Sequence, residues 1–173
     1  MNTMTVARRV NREKGFSLIE ILVVIMIMGI LMAIAVPTFF GAKRSGWDSK
    51  AQSTLRSALA AERTYYVDWQ EYTTDVASLD KIEPNIDWSS SNGDAGGAKT
   101  VLDPTTQAVV LVSWSKSETL FCIMNIAVTG TSLNGESAAG TYYKRLNSVA
   151  SAPGSPGTGA CGNSGYAPSD TGW

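Results

Sequence analysis

No histidine occurs anywhere in the 173 residues. That absence removes the commonest general base near neutral pH and the commonest metal ligand. Cysteine is nearly absent too. Cys122 and Cys161 are the only two, too few for a structural zinc site. No glycine-rich phosphate loop and no nucleophile elbow is present, and Asp94, Asp103 and Asp170 lack the spacing of a calcium loop. Carboxylates alone could still do acid–base chemistry, but with these absences the expectation is a protein that is not an enzyme and holds no cofactor and no metal. Charge is sparse, at 17% of residues, and the net value is −1. A chain so balanced offers no electrostatic footprint for nucleic acid.

The little charge there is lies unevenly. Arg8, Arg9, Arg12 and Lys14 against Glu13 give the first fifteen residues +3, which leaves the remainder at −4. Residues 21–42 then carry no charge at all. As a helix, a run of that length spans roughly 33 Å, enough for the hydrocarbon core of a bilayer. Gly29 and Pro37 interrupt the run, and membrane helices tolerate both. Charge returns at Lys43 and Arg44. Beyond them Ala51, Leu55, Leu59, Tyr66 and Trp69 recur at helical spacing, with Lys50, Gln52, Arg56 and Arg63 largely between them. No proline falls between Thr38 and Glu83. The spacing predicts one long helix from about Ser17 to about Trp69, apolar all round in its first half and on one face in its second. Gly41 and Gly46 weaken the junction, which leaves two helices as an alternative. Trp69 reads as core on this face.

Residues 72–106 hold no long period, and Asn92-Gly93 and Gly96-Gly97 mark turns, so a connecting loop with short elements is expected. Residues 107–128 predict a β-hairpin. Ala108–Trp114 and Thr119–Val128 are β-rich, and Ser115-Lys116-Ser117-Glu118 is the polar turn between them. A third strand is expected near Gly140–Arg145. The tail from Asn147 is rich in Ser, Gly, Ala and Pro and reads as loop or partly disordered. Trp47, Trp88, Trp114 and Trp173 are assigned with Trp69 to packing or surface roles.

The stretch Lys14-Gly15-Phe16-Ser17-Leu18-Ile19-Glu20, followed at once by the apolar run, resembles the class III signal of type IV pilins and the related pseudopilins. The resemblance covers residues 12–42. It implies cleavage after Gly15 by a prepilin peptidase of the membrane, which also methylates the new N-terminus at Phe16. It implies that Glu20 is an assembly contact, paired with the N-terminal amine of a neighbouring subunit, and that Pro37 stands at the family's usual proline position. In the family, the segment matching residues 29–37 can lose helicity in assembled filaments. It also implies a late disulfide that bounds a surface-exposed variable region. Cys122 and Cys161 would form it, around Ile123–Ala160. An exported chain favours the pairing, with a buried Cys122 thiol and an unpaired Cys161 as the alternative.

The order of these features has a physical logic. A cut before the apolar run leaves the anchor on the mature protein, whereas an ordinary secretory signal loses it. A lone Glu20 inside hydrocarbon is costly unless partnered, and a desolvated partner sets register. Ser17-Leu-Ile-Glu20 is also a capping box, and the two roles can coexist.

The fold expected is α+β, a long N-terminal helix packed on a small antiparallel sheet. Residues 1–15 are the leader, 16–42 the transmembrane and polymerisation half of the helix, 43–70 its amphipathic half, and 71–173 the head. The function implied is a structural subunit of an extracellular type IV pilus. Its partners would be copies of itself in a helical filament, the prepilin peptidase, the pilus assembly machinery, and membrane lipid before assembly. A pseudopilin of a type II secretion-like system is the alternative. Its main class usually carries an Asp-Pro-Trp-Gly-like segment, and here Asp103-Pro104 is followed by Thr105. A second alternative is a soluble secreted protein. Ala33-Ile34-Ala35 fits ordinary signal peptidase, which would leave Val36 as the N-terminus.

Overall fold

The computed structural model describes residues 15–88, 97–102, 106–133, 135–147, 161 and 167–168. They fall into two units, one ending at Phe40 and one beginning at Gly41. Helix α1 spans Leu18–Trp69, with Gly41, Gly46 and Pro37 all inside it. The first unit contains its opening stretch. There every large apolar side chain from Leu18 to Phe40 is at least 46% exposed, so no protein surface covers any face of it. By length and composition this helix can cross a membrane.

In the second unit the same helix has a sidedness. Ala51, Leu55, Ala58, Leu59, Ala61 and Glu62 are buried, which follows the i, i+3, i+4 spacing of one helical face. Each fully buried leucine on it contributes about 1.5–3 kcal/mol. The face ends sooner than its spacing suggests. Tyr66 is half-buried, but Trp69 is 66% exposed and stacks on Tyr65. The expectation that Trp69 belongs to the core is therefore corrected. The chain leaves the helix at Gln70, whose φ is 57°. The Gln70 side-chain amide donates to the Tyr66 and Val67 carbonyls and closes the helix end. The chain then turns back, and Tyr72, not Trp69, fills the core beside Tyr66.

Helix α2, Val76–Ile82, follows. Asp75 is its N-cap and accepts the Ala77 and Ser78 amides. The Ser78 hydroxyl also donates to it and holds the Asp75 carboxyl below its ordinary value. The strands are β1 (Lys99–Leu102), β2 (Ala108–Trp114), β3 (Leu120–Ile126), β4 (Gly140–Leu146) and β5 (Ala167–Pro168). They form one antiparallel meander in that spatial order. The expected hairpin is β2–β3, and the expected third strand is β4. The polar turn closes with the Glu118 amide donating to the Ser115 carbonyl, and Glu118 adopts φ 67°.

Both faces of β2 and β3 are buried, so these strands read as unbroken apolar runs and not as alternation. On one face Val109, Leu111, Phe121 and Ile123 join the helical residues Leu55, Ala58 and Leu59. On the other, Val110, Val112, Leu120, Cys122 and Met124 form a second cluster with Tyr142 and Cys161.

Candidate functional site

Gly15, Phe16 and Ser17 precede the first helical residue and are exposed. The Ser17 carbonyl accepts the Glu20 amide at 3.1 Å and the Ile21 amide at 3.3 Å. Ser17 therefore holds the N-cap position, and Glu20 is the third residue of the helix. The Gly15–Phe16 peptide lies just outside the hydrogen-bonded ladder of the helix. Phe16 is 78% exposed. Glu20 sits in the first helical turn, where a carboxylate interacts favourably with the helix dipole. Its side chain is exposed and has no hydrogen bond or ion pair among the described residues. It is the one charge between Gly15 and Ala42.

Pro37 supplies no amide for the Ala33 carbonyl, yet the helix continues through it. The Thr38 hydroxyl donates to the Ala35 carbonyl at 2.9 Å and to the Ile34 carbonyl at 3.3 Å, which anchors the turn beside the missing bond. Pro37 and Glu20 share a helix but make no contact with one another, being seventeen residues apart.

The two cysteines lie in the second unit and form a disulfide, with Cα atoms 6.1 Å apart. Cys122 is central in β3, opposite Val112 on one side and Lys144 on the other. Both sulfurs belong to buried residues. The segment between them, expected as a surface-exposed variable region, contains the strand residues that the sequence also predicted. Ile123, Met124 and Ile126 complete a buried strand, and Gly140–Leu146 is a sheet strand. The apolar β3 residues lie in the core, whereas in β4 only Tyr142 is buried. Residues 148–160, the Ser/Gly/Pro-rich part of that tail, and Trp173 lie outside the described residues. Among the described residues no cluster of acidic or sulfur ligands could hold a metal.

A buried polar network escaped the sequence reading. Glu62 is fully buried on the apolar face of α1, and its Oε2 accepts the Thr73 amide at 3.3 Å. The Tyr72 hydroxyl donates to the Asn125 Oδ1, and the Asn125 amide donates to Thr141 Oγ1 at 2.9 Å. Burial pushes the Tyr72 phenol up to about 12. The signal for it was a glutamate at a stripe position, four residues before Tyr66, in an otherwise apolar face.

Comparison with known proteins bears on the N-terminal region first. Residues 10–36 match the family model of the prokaryotic N-terminal methylation motif. The chain is 34% identical over 70 residues to the type IV major pilin protein PilA of Myxococcus xanthus, covering 40% of this chain and 32% of that protein. It is 37% identical over 71 residues to the type II secretion system core protein G of Aeromonas hydrophila, covering 41% of this chain and 50% of that one. It is 35% identical over 82 residues to the type IV narrow pilus major component PilA5 of Thermus thermophilus, covering 47% of this chain and 67% of that protein. The chain thus spans from a third to two thirds of the length of these relatives. No solved structure matches it. An exposed apolar helix begun by Gly-Phe-Ser and carrying a single early glutamate, the methylation motif laid over it, and relatives drawn from both branches lead to one assignment: the chain belongs to the family of type IV pilins and pseudopilins.

Proposed function

We propose that the chain is a type IV pilin precursor, cut after Gly15, methylated at Phe16, and polymerised through α1 into an extracellular filament. The observation that carries this is the stretch Leu18–Phe40, apolar, helical and exposed on every face. Such a surface needs lipid or copies of itself around it. Retaining it after processing gives the subunit a membrane home before assembly and a packing surface after it.

Within this reading Glu20 is the assembly contact. Cleavage creates an ammonium at Phe16, and methylation keeps its charge. The Glu20 carboxylate of a neighbouring subunit neutralises that ammonium in the dry interior of the filament, where an unpaired charge is heavily penalised. Only one axial offset between subunits satisfies both groups, so the pair sets register. Pro37 removes one backbone bond from the same helix and makes residues 29–37 the stretch that most readily loosens as subunits pack. Structural polymerisation asks for no catalytic residue, and the partners are further copies, the peptidase and the assembly machinery.

The pseudopilin reading stands beside it because protein G of the type II secretion system is among the relatives. Thr105 after Asp103-Pro104 favours the pilin. Surface filaments sheared from cells that express the chain distinguish the two. The pilin reading expects the processed chain as an abundant component of the sheared fraction. Retention of the whole processed pool in the cell envelope, with no filament at the surface, would favour the pseudopilin.

A further inference from the structure

The second unit opens, in sequence, where the apolar run stops, and its first charged residues are the exposed Lys43 and Arg44. The Lys43 ammonium lies 5.2 Å from the centre of the Trp47 ring. Lys116, from the β2–β3 turn, places its ammonium 6.0 Å from the same ring. A helix and a sheet turn distant in sequence thus set two cations about one half-buried indole. The nearby carboxylate, Asp48, does not offset them. It is 16% exposed, accepts the Ser117 hydroxyl of that turn, and meets the Arg145 guanidinium at 3.7 Å. Glu118 is a further carboxylate, exposed in the same turn. Among the described residues, Lys43, Arg44, Lys116 and Arg145 against Asp48 and Glu118 sum to +2, in a chain whose total is −1.

Position along the chain selects the occupant. Lys43 and Arg44 immediately follow residues 21–42, the uncharged run, and Trp47 stands about 7.5 Å further along the helix axis than Ala42. That is the depth at which an emerging helix meets phospholipid headgroups, where tryptophan rings and lysine stems are favoured. Anionic headgroups attract such cations within a Debye length of the surface. We propose that Lys43, Arg44, Trp47 and Lys116 form a docking patch for anionic phospholipid headgroups, which holds the β2–β3 turn against the membrane surface until the subunit is extracted into a filament. Because Lys116 reaches the patch only through the folded sheet, the contact is made by the folded head and not by the helix alone. The inference rests on the membrane-inserted precursor described above.

The full chain in lipid nanodiscs tests it, one chain per disc, with a trace lipid bearing a headgroup nitroxide. Paramagnetic broadening of the Ser117 and Glu118 amide signals reports how close the turn comes to the headgroups. Discs containing phosphatidylglycerol are expected to broaden these signals well beyond discs of phosphatidylcholine alone, and high salt to abolish the difference. Removing one cation in Lys116→Gln should lower the docked population about fivefold, while Lys116→Arg retains it. Equal broadening in both lipids would overturn the docking patch and leave the membrane precursor standing, provided residues 18–40 remain lipid-protected. Loss of that protection would overturn both. Broadening that appears only with two chains per disc would place a second copy at the patch, and would overturn the lipid assignment.

Discussion

Glu20 and Tyr72 are polar residues whose surroundings make opposite demands. Glu20 is exposed in the isolated chain, and in the proposed filament it acts only when a partner buries it. On the proposed reading, Glu20→Ala is expected to leave processing at Gly15 intact, because the Gly15–Phe16 peptide lies outside the helix that carries Glu20. Breaking one side of a desolvated charge pair costs about 3–5 kcal/mol, well above the roughly 1.4 kcal/mol of a tenfold change. Sheared filament yield, read by immunoblot against processed chain in the cells, should therefore fall more than about tenfold. Normal yield would remove the assembly role. Tyr72 is buried already, and its hydroxyl donates to the buried Asn125. Tyr72→Phe strands that acceptor at a cost of about 1–3 kcal/mol, measurable by thermal or denaturant unfolding. The phenol also has a pH signature. Its folded-state value is raised from 10.0 to about 12 by burial, so the neutral form belongs to the folded chain. Its contribution is fully present below pH 10 and is lost as the pH rises from there through about 12. Unfolding of the wild type should steepen in that window, and Tyr72→Phe should flatten the dependence.

Helix α1 was legible in the sequence because its two halves carry two strong, separate signals, an uncharged run and then a helical stripe. The stripe also misled. Trp69 repeats the phase of Ala51, but phase says which side of the helix a residue is on, not whether anything lies opposite. The chain reverses at Gln70 and brings Tyr72 to the place that phase assigned to Trp69. Trp69→Ala should thus change stability by less than about 0.5 kcal/mol, whereas Leu55→Ala should cost about 2–5 kcal/mol. A large loss at Trp69 would restore it to the core. The hairpin was legible for the opposite reason. Apolar runs of seven residues around a polar turn leave few alternatives. Helix α2 was passed over because seven residues are too few to show a period, although Asp75 before them and Pro84 after them are its end signals. β1 is shorter still, four residues long. The disulfide closes a separation of 39 residues, which contributes about 4 kcal/mol in the chain-entropy account. Cys161→Ser should lower the unfolding free energy of the full chain in detergent by about that much. Reduction of the wild type should give the same loss, and little change on either route would mean that packing alone holds the tail.

At the scale of the whole molecule, division of labour explains why part of the candidate site could be read and part could not. The N-terminal motif is a local code of consecutive residues, matched over 10–36, and on the proposed reading Gly15, Phe16, Glu20 and Pro37 carry their roles without a fold. The contacts of the head are products of folding. Glu62 meeting Thr73, and Lys116 meeting Trp47, depend on a helix–sheet arrangement that no window of sequence contains. The filament reading depends on the local code, because it requires that the chain keep its apolar helix after processing. The intact mass and N-terminal sequence of the chain recovered from cells test this most directly. The account predicts a mature protein that begins at N-methylated Phe16 and retains Glu20 and all of α1. A protein that begins at Val36 would have lost Glu20 and most of the apolar helix, and would contradict the account.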